Sequence, residues 1–353
     1  MKKKDSGHEE VSVTIFRKRL RKFKKLKRGY YSFLFLLILY IISFFCPFLM
    51  NNKALIVHYD GKTYFPVFKY HAGKEFGQDI YGEANYRRLH ATFKEENAGN
   101  WVLMPPYPYS PYEHLLDLPG EPPHSPSKVH WFGTDNSGRD VFVRLAYGFT
   151  ISISFALVVV AICYAIGIIV GAMLGYFGGK FDIIMQRFVE IWMAMPFLYT
   201  IMIVSSIIQP NFFLLAFVLT LFGWMGLTFY VRGEFYREKA KDYVAAAVSM
   251  GANDRSVIFK HILPNALTPI ISFAPFAVVG YIGSLVSLDY LGFGLPPPTP
   301  SWGQMVQQGM QDIFKWWLVF FPLGALFATL LLVVFIGEAV REAFDPKVFS
   351  RLR

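Results

Sequence analysis

Charge is the scarcest property of this chain. Asp, Glu, Lys and Arg make up 17% of its 353 residues, against about 25% in an ordinary soluble domain. Six stretches have none at all: Tyr30 to Phe48, Ile151 to Tyr176, Ile191 to Ile208, Phe212 to Val231, Ile262 to Leu288 and Trp316 to Ile336. So much continuous apolar chain cannot stay in water, which excludes a soluble globular protein. The same stretches hold no relay of ionisable residues of the kind that ion-driven carriers use, which weighs against a secondary transporter or channel, the main alternative reading. Cysteine is nearly missing. Cys46 and Cys163 are the only two, each inside an apolar stretch, and read as packing residues with no disulfide or metal role. A phosphate-binding loop is missing too: Gly178-Gly179-Lys180 runs into Phe181, and position 174 is Leu. Nucleotide must therefore be handled by another chain. No Ser/His/Asp, Cys/His or HExxH arrangement lies beside the stretches, and His71, His90, His114, His124 and His130 lack metal-ligand spacing, so neither an enzyme nor a metal site is expected. Cys46-Pro47-Phe48 is no small-residue cleavage site, which makes the first stretch an anchor and not a removable signal.

What is present is 54% hydrophobic and 18% aromatic residues, arranged as six bilayer spans. Gln209-Pro210-Asn211 divides the long uncharged run into two spans joined by a tight hairpin. Basic residues from Arg17 to Arg28 precede the first span and place the amino terminus in the cytoplasm. Six spans return the carboxyl end, with Arg341, Lys347, Arg351 and Arg353, to the same side. The net charge of +10 therefore reflects topology, and no nucleic-acid partner is expected. The expected organisation is a basic tail and interfacial helix over 1–28, a first span over 29–50 and an outer subdomain over 51–129. A core with five spans follows over 130–337, containing a cytoplasmic loop at 232–262, and a cytoplasmic tail occupies 338–353. Residues 1–10 read as disordered. Phe16, Leu20 and Phe23 recur at helical spacing among cations, the pattern of a helix lying on the inner leaflet.

In the outer segment, Leu55 to Tyr59 and Thr63 to Phe65 flank Asp60-Gly61, a hairpin signal. Aromatics and a proline-rich strap from Pro105 to Pro126 follow, predicting a small, partly β subdomain. Gly167, Gly171 and Gly175, spaced by four, favour close helix contact within the chain or with a partner. Asp182, Arg187 and Glu190 fall near the inner boundary, where they can reach water or one another. The loop Lys241 to Asp254 reads as a helix, a stop and a restart. Asp242 can cap the first helix, alanines 245–247 leave it thin, Gly251 suits its end, and Asn253 or Asp254 can cap the next helix, running to Leu263.

At this loop the chain resembles a family. Ala246-Ala247, Gly251 and Leu263-Pro264 are similar to the "EAA" loop of permease subunits of bacterial ATP-binding-cassette importers. The position usually occupied by Glu is Ala245 here, and a later Ile is His261. Gly133-Thr134-Asp135-Asn136-Ser137-Gly138-Arg139-Asp140 with Arg144 and Tyr147-Gly148 resembles the signature of oligopeptide and dipeptide permeases (OppC/DppC-like), although Thr150 stands where Arg is common. Gly178-Gly179, Asp182, Arg187 and Pro196, the outer loop Leu291 to Gly294 with Pro297-Pro298-Thr299-Pro300-Ser301-Trp302-Gly303, and Arg341 to Pro346 also match. The outer subdomain resembles that of YejE-type peptide permeases. The resemblance implies an all-α polytopic membrane protein of the bacterial inner membrane, with the type I importer core and a periplasmic subdomain. It also implies half of a peptide pathway, completed by a second homologous permease. Two ATPase subunits, or one fused ATPase, would hold ATP and Mg, and this chain would bind no cofactor. A periplasmic peptide-binding protein and membrane lipid are the remaining implied partners. Residues 242–264, with Asp242, Tyr243, Asp254 and His261 among them, would take the ATPase. Gly133 to Asp140 reads chiefly as bracing, with cargo contact the lesser reading.

Overall fold

The structure, a computed structural model, describes residues 15–96 and 99–344. The expected disorder over residues 1–10 and the carboxyl end from Asp345 lie outside the described residues. Helix α1 (Ile15–Lys25) meets α2 (Lys27–Ser43) at a bend of 95°. The first span stops at Ser43, short of the expected Phe48, because Phe44 and Phe45 turn the chain into the short α3 (Cys46–Leu49), which has Pro47 in its first turn.

The outer subdomain holds the expected hairpin, β1 (Ile56–Tyr59) and β2 (Lys62–Tyr64). Asp60 and Gly61 both have positive φ, 49° and 71°, the geometry that lets two residues reverse right-twisted strands. After α4 (Tyr86–Glu96), a third strand, β3 (Trp101–Leu103), pairs antiparallel with the other edge of β1, setting Val57 opposite Val102. Both valines pack with Phe76, Tyr86, Leu89 and Phe93 in a small core. Strand β3 was not expected, since three residues are too few to show an alternating pattern.

The membrane core consists of α5 (Val141–Phe177), α6 (Gly179–Met193), α7 (Phe197–Ile207), α8 (Phe212–Lys239), α9 (Asp242–Ser249), α10 (Asp254–Ser256), a π-turn at Val257–Ile262, α11 (Leu263–Ile271), α12 (Ala274–Leu291), α13 (Trp302–Gln311) and α14 (Trp317–Phe344). Four of these (α5, α8, α12 and α14) are each long and apolar enough to cross a membrane, and the bent pairs α1–α2 and α6–α7 raise the number to as many as six among the described residues. The α6–α7 pair bends by 64° at Pro196, which has no N–H to donate and disfavours helical geometry at Met195.

The helices overrun the uncharged stretches at both ends. Helix α5 starts ten residues before Ile151, because Asp140 accepts from Val143 N (3.0 Å) and caps it. Helix α8 continues past Val231 to Lys239 and absorbs the first part of the loop expected at 232–262. The span expected from Ile262 is broken into α11 and α12 at Ser272 and Phe273. Pro264 explains the wider turn before it: Lys260 O has no i+4 donor, and the ladder opens.

Helices α5 and α8 pack through the glycines. A Cβ on Gly167 would sit 3.0 Å from Trp224 O, one on Gly171 2.6 Å from Thr228 O, and one on Gly175 2.7 Å from Arg232 O. The glycine spacing thus serves a contact inside this chain, with backbones close enough for dispersion across the whole seam. Gly175→Leu is expected to force the helices apart and lower stability by about 1–3 kcal/mol. Gly226→Ala, at a position with nothing within 4 Å, is expected to be neutral or mildly stabilising. Thermal denaturation of the purified chain in detergent checks both, and equal midpoints for the two variants would contradict the seam.

Candidate functional site

Two clusters gather the residues singled out in the sequence, one at each end of α5. At the outer end, Gly133 to Asp140 forms a tight turn with Thr134, Asp135, Arg139 and Asp140 all buried. Asp135 Oδ1 accepts from the backbone N–H of Ser137 (2.9 Å) and Arg139 (3.0 Å), while its Oδ2 accepts from Arg139 Nε (2.8 Å). Gly133 and Gly138 have φ of 75° and 74°, and a Cβ on Gly133 would strike His124 O at 2.5 Å. Thr134 accepts from His124 N through its hydroxyl (2.8 Å), and its carbonyl accepts from Trp317 Nε1 (3.2 Å). Asp140 caps α5 with one oxygen and accepts from Tyr107 Oη (2.7 Å) and His130 Nδ1 (2.8 Å) with the other. Burial, and then the Asp140 carboxylate, raises the Tyr107 phenol above its ordinary value, so it stays a donor.

Arg144 ties this turn to two other segments. It is fully buried, with Nε 3.3 Å from Asp135 Oδ2. Its terminal nitrogens donate to Pro111 O (3.0 Å) in the proline strap and to Pro298 O (3.1 Å) and Thr299 O (3.2 Å) in the outer loop. That loop then enters α13, which Ser301 caps by accepting from Gln304 N (3.3 Å). Trp302 is buried against Gly148 and donates to Leu145 O (3.0 Å), while Gly303 lies flush on Val286 O and Asp289 Cβ. Pro300 is buried and Pro298 exposed.

Asp289 is a residue the sequence reading passed over. It sits inside α12, 3% exposed, and accepts from Leu295 N (2.7 Å) and Ser301 Oγ. The uncharged stretch ends one residue before it, so its position past Leu288 gave the only available signal. Asp182 was placed at the inner boundary, but its partner was not foreseen. It accepts a bidentate pair from Arg232 (2.6 and 2.6 Å) and a bond from Tyr236 Oη (2.7 Å), whereas Arg187 pairs with Glu190 (2.6 Å).

At the inner end, α9 is docked on one side and bare on the other. Val244 is buried with Val257, Ile262, Ala266, Tyr176 and Phe235, and Ala247 is buried as well. Ala245, Ala246, Val248 and Met250 are exposed, Met250 by 81%. Asp242 does not cap α9: Lys241 occupies the capping position with extended geometry, and Asp242 lies in the first helical turn, where a carboxylate still complements the helix dipole. Gly251, with φ of 81°, closes the helix, its N–H bonded to Val248 O (2.9 Å). Asn253 caps the restart by accepting from Ser256 N (2.9 Å), which leaves Asp254 to accept from Tyr176 Oη (2.6 Å). Tyr243 donates to Glu238 (2.9 Å), and Asn265 Nδ2 donates to His261 O (2.9 Å). Burial, and then Glu238, raises the Tyr243 phenol. Leu263 is half-buried and Pro264 exposed. A hollow of about 520 Å³ at the restart is lined by Asn253, Arg255, Ser256, Phe259 and Lys260. Among the described residues no group of three His, Cys, Asp or Glu could hold a metal ion.

Capping, ion pairing and packing occupy the side chains of both clusters described above. The pattern described as "Binding-protein-dependent transport system inner membrane component" matches residues 167–350. The "Inner membrane ABC transporter permease protein YejE" of Escherichia coli (strain K12) is 40% identical, over 93% of this chain and 96% of its own length. The "Peptidoglycan transport system permease protein YejE" of Agrobacterium fabrum is 36% identical, over 94% and 93%. The "Oligopeptide transport system permease protein OppC" of Bacillus subtilis is 36% identical, over 63% and 73%. With its membrane helices, seam and docked inner helix, the chain belongs to the binding-protein-dependent transport system inner membrane components, as a permease subunit of an ABC transporter.

Proposed function

We propose that this permease carries peptides inward, with a second homologous permease completing the pathway. Separate ATPase subunits, two or one fused, hold ATP and Mg and dock on α9, and a soluble peptide-binding protein delivers cargo to the opposite face. Both termini and the 240–262 segment then lie in the cytoplasm. The single observation behind this reading is the inner loop: a short helix fixed by its buried face to α8 and α11 while it presents Ala245, Ala246, Val248 and Met250 outward. Small side chains allow close approach of a groove, and exposed Val and Met supply apolar area to it. Peptide as cargo follows from the names of the relatives, oligopeptide for one and peptidoglycan for another, and both materials contain peptide. Pushing α9 moves α8 and its glycine-bound partner α5, which biases inward against outward states.

Gly251→Pro is expected to abolish peptide-stimulated ATP hydrolysis in the assembled complex, since proline cannot adopt a φ of 81°. Gly251→Ala, strained but unobstructed, is expected to retain part of it. Peptide stimulation left intact by the proline variant, in a complex shown by co-purification to be assembled, would refute the docking role.

Gly133 to Asp140 and Arg144 act, on this reading, as an outer brace, with no direct grip on cargo. Arg144→Met removes one of the two cations beside the buried Asp135 carboxylate, leaving Arg139 as the other, and strips donors from three carbonyls, a loss of roughly 2–5 kcal/mol. Arg144→Lys is expected to recover little, because a point charge cannot serve the carbonyls and the carboxylate together. Both are measured as thermal midpoints of the purified chain, with peptide stimulation of the surviving fraction unchanged in its concentration dependence.

The outer subdomain is a candidate surface for the binding protein, with Phe68 and Tyr81 exposed by 76% and 97%. Its base is narrow, since Leu55 N donates to Leu103 O (2.8 Å). Excising residues 56–102 is therefore expected to leave a folded permease that retains its ATPase but binds the binding protein more weakly. Extending the cut to residue 128 removes Tyr107 and Pro111 and is expected to unfold the outer brace. Pull-down of each partner and gel filtration of the two deletions check this, and equal behaviour of both would contradict it.

A further inference from the structure

Helix α1 has no acidic residue. Arg17, Lys18, Arg21, Lys24 and Lys25 are exposed, and none of these five has an ion-pair partner among the described residues. Two other cations fasten the helix to the bundle: Arg19 Nη1 donates to Thr268 Oγ1 (3.0 Å) with its guanidinium 5.1 Å over the Phe344 ring, and Lys22 donates to Glu342 O. A bend of 95° separates α1 from α2, so if α2 crosses the bilayer, α1 lies along its surface.

Beside this elbow, an apolar groove of about 380 Å³ runs between α2, α5, α12 and α14, with the end of α11 at its margin. Phe33, Leu37, Leu157, Ile271, Val278 and Val340 line it, and Tyr40, the one hydroxyl in it, is bonded to Ser154 (2.8 Å). The groove begins where α1 is fastened. Phe23 of α1 meets Phe33 edge-on at 6.1 Å, Thr268 is one turn before Ile271, and Glu342 and Phe344 follow Val340 closely. From Phe33 to Tyr40 the groove follows about 10 Å of helix, which fits within one leaflet of a hydrocarbon core about 30 Å thick.

We propose that this elbow binds one anionic phospholipid, its phosphate among the α1 cations and one acyl chain in the groove. Charge complementarity selects the occupant. A zwitterionic lipid fills the groove and leaves the cations uncompensated, whereas an acidic peptide meets the cations and leaves a groove at hydrocarbon depth empty. Each cation near an anionic headgroup contributes favourably, and the chain adds its buried CH₂ groups. The lipid would thereby hold α1 across the carboxyl end of α14 and the start of α12. Lipid binding does not depend on the transport reading, which fixes only the leaflet concerned.

The test uses the full chain purified in detergent and stripped of lipid, titrated with dioleoyl phosphatidylglycerol or dioleoyl phosphatidylcholine, bound lipid being counted by native mass spectrometry. The wild type is expected to retain the phosphatidylglycerol at least about tenfold more tightly, and glycerol phosphate, an anion without a chain, is expected not to compete. A variant with R17Q, K18Q, R21Q, K24Q and K25Q, all at surface positions, should lose the preference. Leu157→Trp, filling the groove from a position 43% exposed, should lose retention of both lipids at the site. Equal retention of the two lipids by the wild type, wild-type retention by either variant, or full competition by glycerol phosphate would overturn the proposal.

Discussion

A guanidinium with no access to water holds the outer half of this molecule together. Arg144 cannot be solvated where it sits, so every segment that reaches it must present oxygen: a carboxylate from the signature turn, one carbonyl from the proline strap and two from the loop before α13. A buried charge left unpaired costs several kcal/mol, and that penalty applies to any arrangement in which one of these segments drifts away. The outer loops are therefore positioned by a shared electrostatic requirement, whereas their own backbone preferences, rich in proline and glycine, would allow many shapes. Asp140 repeats the device one turn earlier. It caps α5 and holds Tyr107 and His130 with the same carboxylate, so the start of the longest helix and the strap cannot move independently.

The inner half is held differently. Glycines let α5 and α8 approach to backbone contact, and α9 adds Val244 to the apolar cluster that covers the end of that seam. Polar tethers here join buried carboxylates to cations and phenols that are less buried: Asp182 with Arg232 and Tyr236, and Glu238 with Lys241 and Tyr243. Apolar packing slides at lower cost than a buried ion pair breaks, since dispersion is regained in a new register while an orphaned charge is not. Helix α5 spans both regimes, about 55 Å from end to end. The two ends of α5 are thus held by different means, apolar contact between backbones at one and a buried ion pair at the other.

Most of this was legible in the sequence wherever one residue decides local geometry. Asp60-Gly61 announces the hairpin because only such residues adopt two positive φ angles in succession. Gly251 and Asn253 announce the stop and restart of the inner loop for similar reasons. The helices run past the uncharged stretches, because charged residues enter a helix once a partner neutralises or bonds them. Arg144, Asp182, Arg232 and Asp289 all lie inside helices; the first three are bonded by groups 50 residues or more away, which no local pattern records, and Asp289 by a loop whose fold brings Leu295 and Ser301 back onto it. Strand β3 and the π-turn escaped for a related reason: the first exists because β1 offers a free edge, the second because Pro264 withholds a donor from Lys260. Whether glycines spaced by four face their own chain or a neighbour was likewise undecidable until α8 was seen against them.

Asp289 bears on the alternative of an ion-driven carrier, because a carboxylate buried in a membrane helix is the usual mark of a proton or ion path. Its surroundings argue otherwise. One oxygen accepts from Leu295 N and the other from Ser301 Oγ, both in the loop that α12 itself leads into. Gly294 and Gly303 approach so closely that a Cβ on either would collide with Asp289. A relay group needs a second ionisable residue within reach and room for water or an ion between them. Asp289 has neither among the described residues: backbone, a serine and two glycines enclose it. Its carboxylate closes the loop between α12 and α13 as Asp140 closes the turn before α5. Asp135, Asp140 and Asp289 thus share one task, fixing the segments on which Arg144 converges.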